Sequence, residues 1–391
     1  MDSPRRIYMD YAATTPVDPR VLEAMMPYFK ERFGNASSRH HAWGWEAEEA
    51  TVMAREEVAQ LIGAVAREII FTSGATESNN LALRGVAEFH GIDGGAIVSS
   101  PVEHSSVLNA VRALAERDHT IHFLPIDSEG RVLLQGIDEI PNSTLLISVM
   151  LANHETGVLQ PVEEIGRMCK ERGILFHIDA TQAVGKIPIA VDRLGADLLS
   201  LSGHKIYGPK GVGALYIRSR KPRVRLRALI EGGGQERGFR SGTLNVPGIA
   251  GLGAACRLAR EQLEMDREQI TRQRDELQRR LMSISGVHVH GGNAERVCHI
   301  LNISAKDLTG EGLLTRLKGV AVSTGSACAS GSLEPSHVLT AMGVAPQRAR
   351  NAIRFSLGRM TTDEEVVASA YEMERAIVEA RSAVSRKFAD P

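Results

Sequence analysis

The sequence lacks any apolar run approaching the roughly 18–20 residues that a membrane helix needs, so no membrane span is expected. Arg5 and Arg6 stand near the start, but no apolar stretch follows them, which argues against a secretory leader. Cysteine is scarce. Cys169, Cys256, Cys298 and Cys328 form no Cys-x-x-Cys pair and no metal-ligand spacing, which predicts free thiols in a reducing cytoplasm and no metal centre. Charge of one sign is also missing: 46 basic residues face 47 acidic ones. That balance excludes a global basic excess for nucleic acid and an acidic solvating tail. No Gly-x-x-x-x-Gly-Lys-Ser/Thr segment occurs, so a P-loop nucleotide site is unsupported. There is no internal repeat and no long linker.

What is there suits a soluble two-domain protein. The 391 residues exceed what one core usually serves, and 43% hydrophobic with 24% charged residues is ordinary for a globular chain. Short apolar strands are expected at 68–71, 96–99, 145–150, 174–178, 198–201 and 214–217. Helices are expected between them at about 77–88, 105–116 and 162–172. This alternation predicts an α/β fold with a mostly parallel sheet covered on both faces. After about Ala250 the character changes. Leu258, Leu263, Ile270, Leu277 and Leu281 mark a long charged helix over 256–283. Strands at 298–303 and 352–357, a Gly/Ser/Ala-rich loop at 323–332 and a closing helix from about Asp363 follow.

In open α/β sheets ligands sit beyond the carboxyl ends of the strands. Four such places carry chemistry. Ser73-Gly-Ala-Thr76 joins a strand to a helix, where free N–H groups and the Thr76 hydroxyl make a phosphate cup or a plain N-cap. Asp179 ends the 174–178 strand. It is either a strand-end cap or the partner of a buried cation, such as the protonated pyridine nitrogen of pyridoxal 5'-phosphate (PLP); Gln182 could donate to a ring oxygen. Lys205 follows Ser202-Gly-His204 after another apolar strand. A lysine desolvated there can form a Schiff base, and Ser202 and His204 can reach a phosphate. Cys328 lies among small residues, where a thiol is either an incidental surface group or a nucleophile. Cys169, Cys256 and Cys298 look structural. His104 could stack on a flat ring and move protons. Arg354, inside an apolar strand, needs a carboxylate, either a substrate's or a neighbour's.

Asp10-Tyr-Ala-Ala-Thr-Thr-Pro16, Ser73-Gly-Ala-Thr-Glu-Ser-Asn79, Glu103-His104, His177-Ile-Asp-Ala-Thr-Gln182, Ser202-Gly-His-Lys-Ile-Tyr-Gly-Pro-Lys-Gly211, Arg240-Ser-Gly-Thr243 and Gly325-Ser-Ala-Cys328 together resemble the NifS/IscS-type cysteine desulfurases. The resemblance runs from about residue 8 to 362. It implies a fold-type-I PLP enzyme with a seven-stranded sheet in the large domain (residues 15–255). A smaller α+β domain (1–14 and 256–391) would carry the cysteine loop. It implies a homodimer with active sites near the subunit interface, L-cysteine as substrate, alanine as product, and a sulfur-acceptor protein such as one of iron–sulfur cluster assembly. It assigns Lys205 to the Schiff base, Asp179 to the pyridine nitrogen, Gln182 to the ring hydroxyl and His104 to the ring face. Ala75, Thr76, Ser202 and His204 would hold the phosphate, with Thr243 from the partner subunit. Asn35 and Arg354 would hold the substrate carboxylate, and Cys328 would take the sulfur.

One departure stands out. The family usually has Asn-Asn-Glu where this chain has Asn153-His154-Glu155, and the second Asn contacts the cofactor. His154 inherits that position as a bulkier, titratable residue. Two rival readings are a selenocysteine lyase of the same fold and a docking protein using the basic run Arg218–Arg227.

Overall fold

The computed structural model describes residues 6–91, 94–220, 223–306, 308–324 and 335–387. The chain starts with a two-residue strand, β1 (Ile7–Tyr8). The seven strands that follow are β2 (Ile69–Thr72), β3 (Ala96–Ser99), β4 (Thr120–Phe123), β5 (Thr144–Met150), β6 (Leu175–Asp179), β7 (Leu198–Ser202) and β8 (Gly213–Ile217). They form one sheet in the order β2-β8-β7-β6-β5-β3-β4. Strands β3 to β7 run parallel, and only β8 runs against its neighbours. Buried Ile, Leu, Val and Phe fill β2, β3, β6 and β7, as both-face coverage requires.

Most expected strands are present within one or two residues of their predicted bounds. The half-exposed edge strand β4 was not expected: Thr-Ile-His-Phe carries too short and too polar a pattern to announce itself. The opposite edge, β2, is closed by side chains. Arg55 and Arg237 both donate to the Ile69 carbonyl at 2.7 Å, and Glu236 accepts from the Phe71 N–H at 2.8 Å. Pairing the free edge in this way removes a template for aggregation.

The remaining strands are β9 (Val287–His290), β10 (Ile300–Ala305), β11 (Val320–Ala321), β12 (Ser323–Thr324) and β13 (Ala352–Ser356). They make an antiparallel sheet, β12-β13-β10-β9, while β11 pairs in parallel with β1. Ser323 and Thr324 correct the sequence expectation: the pair β13 through Arg354 and Ile353 rather than opening a loop. The predicted remainder of that loop, with Cys328, lies outside the described residues.

The long helix also differs from expectation. It spans Val246–Met282, beginning ten residues before the predicted 256. Its first turns, Val-Pro-Gly-Ile-Ala-Gly-Leu-Gly, contain three glycines, which lower helix propensity and hide the signal. They are there for close packing: a Cβ on Gly253 would stand 2.6 Å from the Ala54 Cα in the neighbouring helix Ala42–Ile62. Asn245 caps the start, its side chain accepting from the Gly248 N–H at 3.1 Å. At about 1.5 Å per residue the helix is about 55 Å long. Its Leu252 and Leu258 join the core beneath the seven-stranded sheet. Its Ile270, Leu277 and Leu281 join a second core with Leu301, Phe355 and Met373.

The N-terminal segment crosses between the same two cores. Ile7 and Met9 lie in the second core and Ala12 in the first. Backbone bonds from Met9 to Ala321 and from Ser356 to Met9 fasten it on one side, and that from Thr15 to His204 on the other.

Candidate active site

The parallel strands end on one cavity of about 510 Å³. β2, β3, β5, β6 and β7 contribute residues at or just beyond their carboxyl ends, where side chains and helix starts meet at the sheet's crevice. From β2 come Ser73 and Gly74, and then the helix Ala75–His90. Gly74 has φ 151°, a conformation that side-chain-bearing residues rarely adopt. Gly213, at the start of β8, packs against it: a Cβ there would stand 2.7 Å from the Gly74 Cα and 2.5 Å from the Leu201 carbonyl oxygen. The first-turn N–H groups of Ala75 and Thr76 have no acceptor within the helix. Ser202 stands beside that helix start, and His204 and Lys210 line the same cavity. Lys210 went unsingled in the sequence, where it reads as part of the glycine turn after Lys205. Burial, with Lys205 and Lys210 adding to it, lowers the His204 pKa to about 4. A neutral His204 donates or accepts without adding charge.

Asp179 ends β6 in the same cavity. Its carboxylate accepts from the Asn79 side-chain amide at 2.8 Å and from the Thr181 N–H at 3.0 Å. Those donors hold it in place without neutralising it, so the anion is poised for a cation in the cavity. Two residues earlier, His177 is buried in the sheet, with Ser148 at 2.8 Å on Nδ1 and Ser200 at 2.9 Å on Nε2. Burial lowers its pKa.

Lys205 closes a short 3₁₀ turn after β7. Its Nζ donates to the carbonyl oxygens of Ala12 and Ala13. Gln182 donates to the same Ala12 carbonyl at 2.9 Å. The N-terminal crossing segment therefore positions both the lysine and the glutamine at the cavity wall.

His104 caps the helix Ser105–Ala115. Its Nδ1 accepts from the Ser106 N–H at 3.1 Å and lies 2.8 Å from the Ser106 hydroxyl. Since Nδ1 accepts, the neutral ring carries its proton on Nε2. Burial lowers the His104 pKa; Asp179 opposes that, while Lys205, His337 and Arg354 reinforce it. His154 lies beside it, the ring centroids 5.1 Å apart at 79°. Burial pushes the His154 pKa well below its ordinary value, helped by His104, His337, Arg354 and Lys205. Two buried carboxyls flank these rings. Burial raises Glu103 to about 8 and Glu155 to about 7. Ser100 donates to Glu103 at 2.6 Å and Ser336 donates to Glu155 at 2.5 Å.

Lys205, Asp179, Gln182, Ala75, Thr76, Ser202, His204, His104 and His154 thus meet in one cavity. Arg354, Asn35 and Thr243 are not among its lining residues. Arg354 is buried and donates to Asp10 at 2.9 Å and to the His154 carbonyl at 2.8 Å, so a neighbour's carboxylate is its partner here. Asn35 is exposed and accepts from the Ser37 N–H at 2.9 Å. Thr243 is exposed. Cys169, Cys256 and Cys298 are buried, and burial raises all three thiols, Cys169 to about 12. Thiols so disfavoured as thiolates are poor nucleophiles. In the basic run, Arg223, Arg225 and Arg227 are exposed while Val224 and Leu226 are buried. Among the described residues no cluster of His, Cys, Asp and Glu could hold a metal, and no helix is long and apolar enough to cross a membrane.

Comparison with known proteins points the same way as this geometry. The family described as aminotransferase class-V matches residues 7–368. A cysteine desulfurase IscS of Anaeromyxobacter sp. (strain Fw109-5) is 54% identical over 365 residues, covering 92% of this chain and 89% of the relative. One from Rickettsia bellii (strain OSU 85-389) is 51% identical over 362 residues, covering 92% and 88%. Among solved structures, a NifS-like protein superposes with TM-score 0.89 at 40% identity, covering 95% of this chain and 99% of its own. SspA in complex with cysteine superposes with TM-score 0.82 at 37% identity, covering 91% and 100%. With its seven-stranded sheet, its lysine and aspartate across one cavity and relatives of this identity, the chain belongs to the class-V aminotransferase family and, within it, to the cysteine desulfurases of the NifS/IscS type.

Proposed function

We propose that this enzyme binds PLP through Lys205 and converts L-cysteine to L-alanine, passing the sulfur to Cys328 as a persulfide. The observation that carries the proposal is the placing of Lys205 and Asp179 in one cavity with a helix start. The residues fit such a cofactor. A helix N-terminus with Thr76, Ser202 and His204 suits a phosphate, and the amide-held Asp179 suits a protonated pyridine nitrogen. Gln182 would take the ring hydroxyl and His104 the ring face, since both line the same cavity. PLP, when bound, supplies an electron sink for the substrate's carbanion.

The protein's residues do the rest. Lys205 Nζ takes the Cα proton. His104 Nε2 exchanges protons with the incoming thiol. The Cys328 thiolate attacks the substrate sulfur, the carbon–sulfur bond breaks, and Cys328 keeps the sulfur while the protonated carbon skeleton leaves as alanine. Asn35 and Arg354 hold the substrate carboxylate, which requires Arg354 to share its fork between Asp10 and the substrate. We further propose a cytoplasmic homodimer with Thr243 completing the partner's phosphate site. Its large domain is residues 15–255, and its sulfur goes to an acceptor protein of iron–sulfur cluster assembly. Support for the dimer comes from the exposed Phe29, Phe33, Trp43 and Trp45, an apolar group uncommon on a monomer.

Two variants test the two halves. Reduction with borohydride should fix the cofactor on the Lys205 peptide, and Lys205→Ala should abolish both the adduct and the visible absorbance. Cys328→Ser should lose alanine formation from cysteine with a dithiol present. An adduct on another lysine sinks the cofactor assignment, and undiminished alanine sinks the persulfide step.

A further inference from the structure

His154 replaces the family's usual asparagine, and its surroundings give the replacement a use. We infer that His154 is a positioning residue for His104: its ring, held between His337 and Glu155, fixes the plane of the His104 imidazole. This rests on the acid–base role proposed above for His104.

Among the described residues His104 is hydrogen-bonded through one ring atom only. Both partners of its Nδ1 belong to Ser106. Rotation of an imidazole about its last side-chain bond is soft, because that torsion has broad wells. A second contact is needed to hold the plane, and His154 supplies it edge to face, at 5.1 Å and 79°. That geometry lies in the favourable range for aromatic pairs.

His154 is itself immobilised. It is buried, its carbonyl accepts from Arg354, and its Nε2 lies 3.9 Å from Glu155 Oε1. Its other side faces His337 at 6.2 Å and 29°. His337 is fixed in turn, its Nε2 2.9 Å from the Glu103 carbonyl oxygen. The other ring nitrogen of His154, Nδ1, is buried and has no hydrogen-bond partner among the described residues. The protein therefore uses the ring as a shape. The charged and titratable groups around the pair are Asp179, Lys205, Arg354, His337, Glu155 and, behind His337, Glu103. With its pKa pushed well below the ordinary imidazole value by burial, His154 stays neutral where His104 works.

Two substitutions separate this role from simple hydrogen bonding to the cofactor. Asparagine can keep a polar atom near Nδ1 but has no ring; phenylalanine keeps a ring but has no nitrogen. In the holoenzyme, the His104 Cε1–H resonance, identified by its loss in His104→Gln, reports the titration midpoint of that ring. His154→Phe should leave the midpoint unchanged. His154→Asn should move the midpoint up toward about 6.5 as water reaches the ring. It should lower kcat roughly tenfold with KM little changed. The inference is overturned if His154→Asn leaves the His104 midpoint where the parent has it, or if a folded His154→Phe protein moves that midpoint as far as the asparagine variant does. If His154→Phe does not fold, His337→Ala decides. A shifted His104 midpoint upholds the inference, and an unmoved one overturns it. Failure of the parent enzyme to take PLP at Lys205 would instead refute the proposed function, whatever the histidines do.

Discussion

Glu103 shows how much a single buried side chain can set. Its carboxyl is fully buried and raised to about 8 by that burial, with Asp179 adding to the effect. Its folded-state pKa thus lies above the ordinary 4.5, so the folded chain holds a proton that the unfolded chain releases. Stability linked to this group is fully present below about 4.5 and is lost as pH rises through about 8. Glu103→Gln keeps the shape of the neutral acid and cannot ionise. Relative to the parent it should gain stability steadily between pH 5 and pH 8, by a few kcal/mol in all. Chemical denaturation at those two pH values measures it; parallel pH profiles for the two proteins would show that Glu103 is ionised in the fold. Glu103 carries this behaviour just one residue from His104, whose Nε2 proton depends on the same dry surroundings.

Strands, helices and turns decide where such residues stand, and here the sequence speaks unevenly. Asp179, Lys205 and Ser73–Thr76 were legible because each follows a strand whose apolar run is easy to see. Strand β4 and the first turns of the helix Val246–Met282 were not. The former is short and half exposed, and the latter spends its glycines on contact with Ala54 instead of on helix propensity. Arg354 was seen as needing a carboxylate, but only the fold could name Asp10, 344 residues away in sequence. Lys210 was hidden in a turn for the same reason: its place in the cavity wall depends on β8 folding back beside Gly74. That junction is testable. Gly213→Ala would push β8 away from Gly74, because backbone atoms crowd the new methyl on both sides. Overpacking of this kind costs about 1–3 kcal/mol. Apparent affinity for PLP, followed by absorbance, should fall about tenfold or more; unchanged affinity would mean that the helix start does not depend on β8.

At the scale of the whole molecule, the surface over residues 29–45 is the feature that calls for a partner. Phe33 is 68% exposed, Trp43 53% and Trp45 56%. Several large apolar side chains exposed so close together in sequence are what an interaction site presents, and the proposed second copy would also give Thr243, which lies off its own cavity, a place in its partner's. The native protein should sediment at twice 42.4 kDa. Replacing Phe33 and Trp43 together with Asp should give monomers that have lost most of their cofactor. A monomeric parent with full activity would remove the need for Thr243 in trans.

The crossing segment of residues 7–15 has a thermodynamic consequence. It is laid down between β11 and β13 in one core, yet its Ala12 and Ala13 carbonyls hold the lysine of the other. Whatever frays the second core therefore also slackens the Lys205 tether, and occupancy of the cavity feeds back on the second core. The two cores are coupled like two ends of one rope, so the colour of the bound cofactor would report the melting of a sheet whose described residues do not line the cavity.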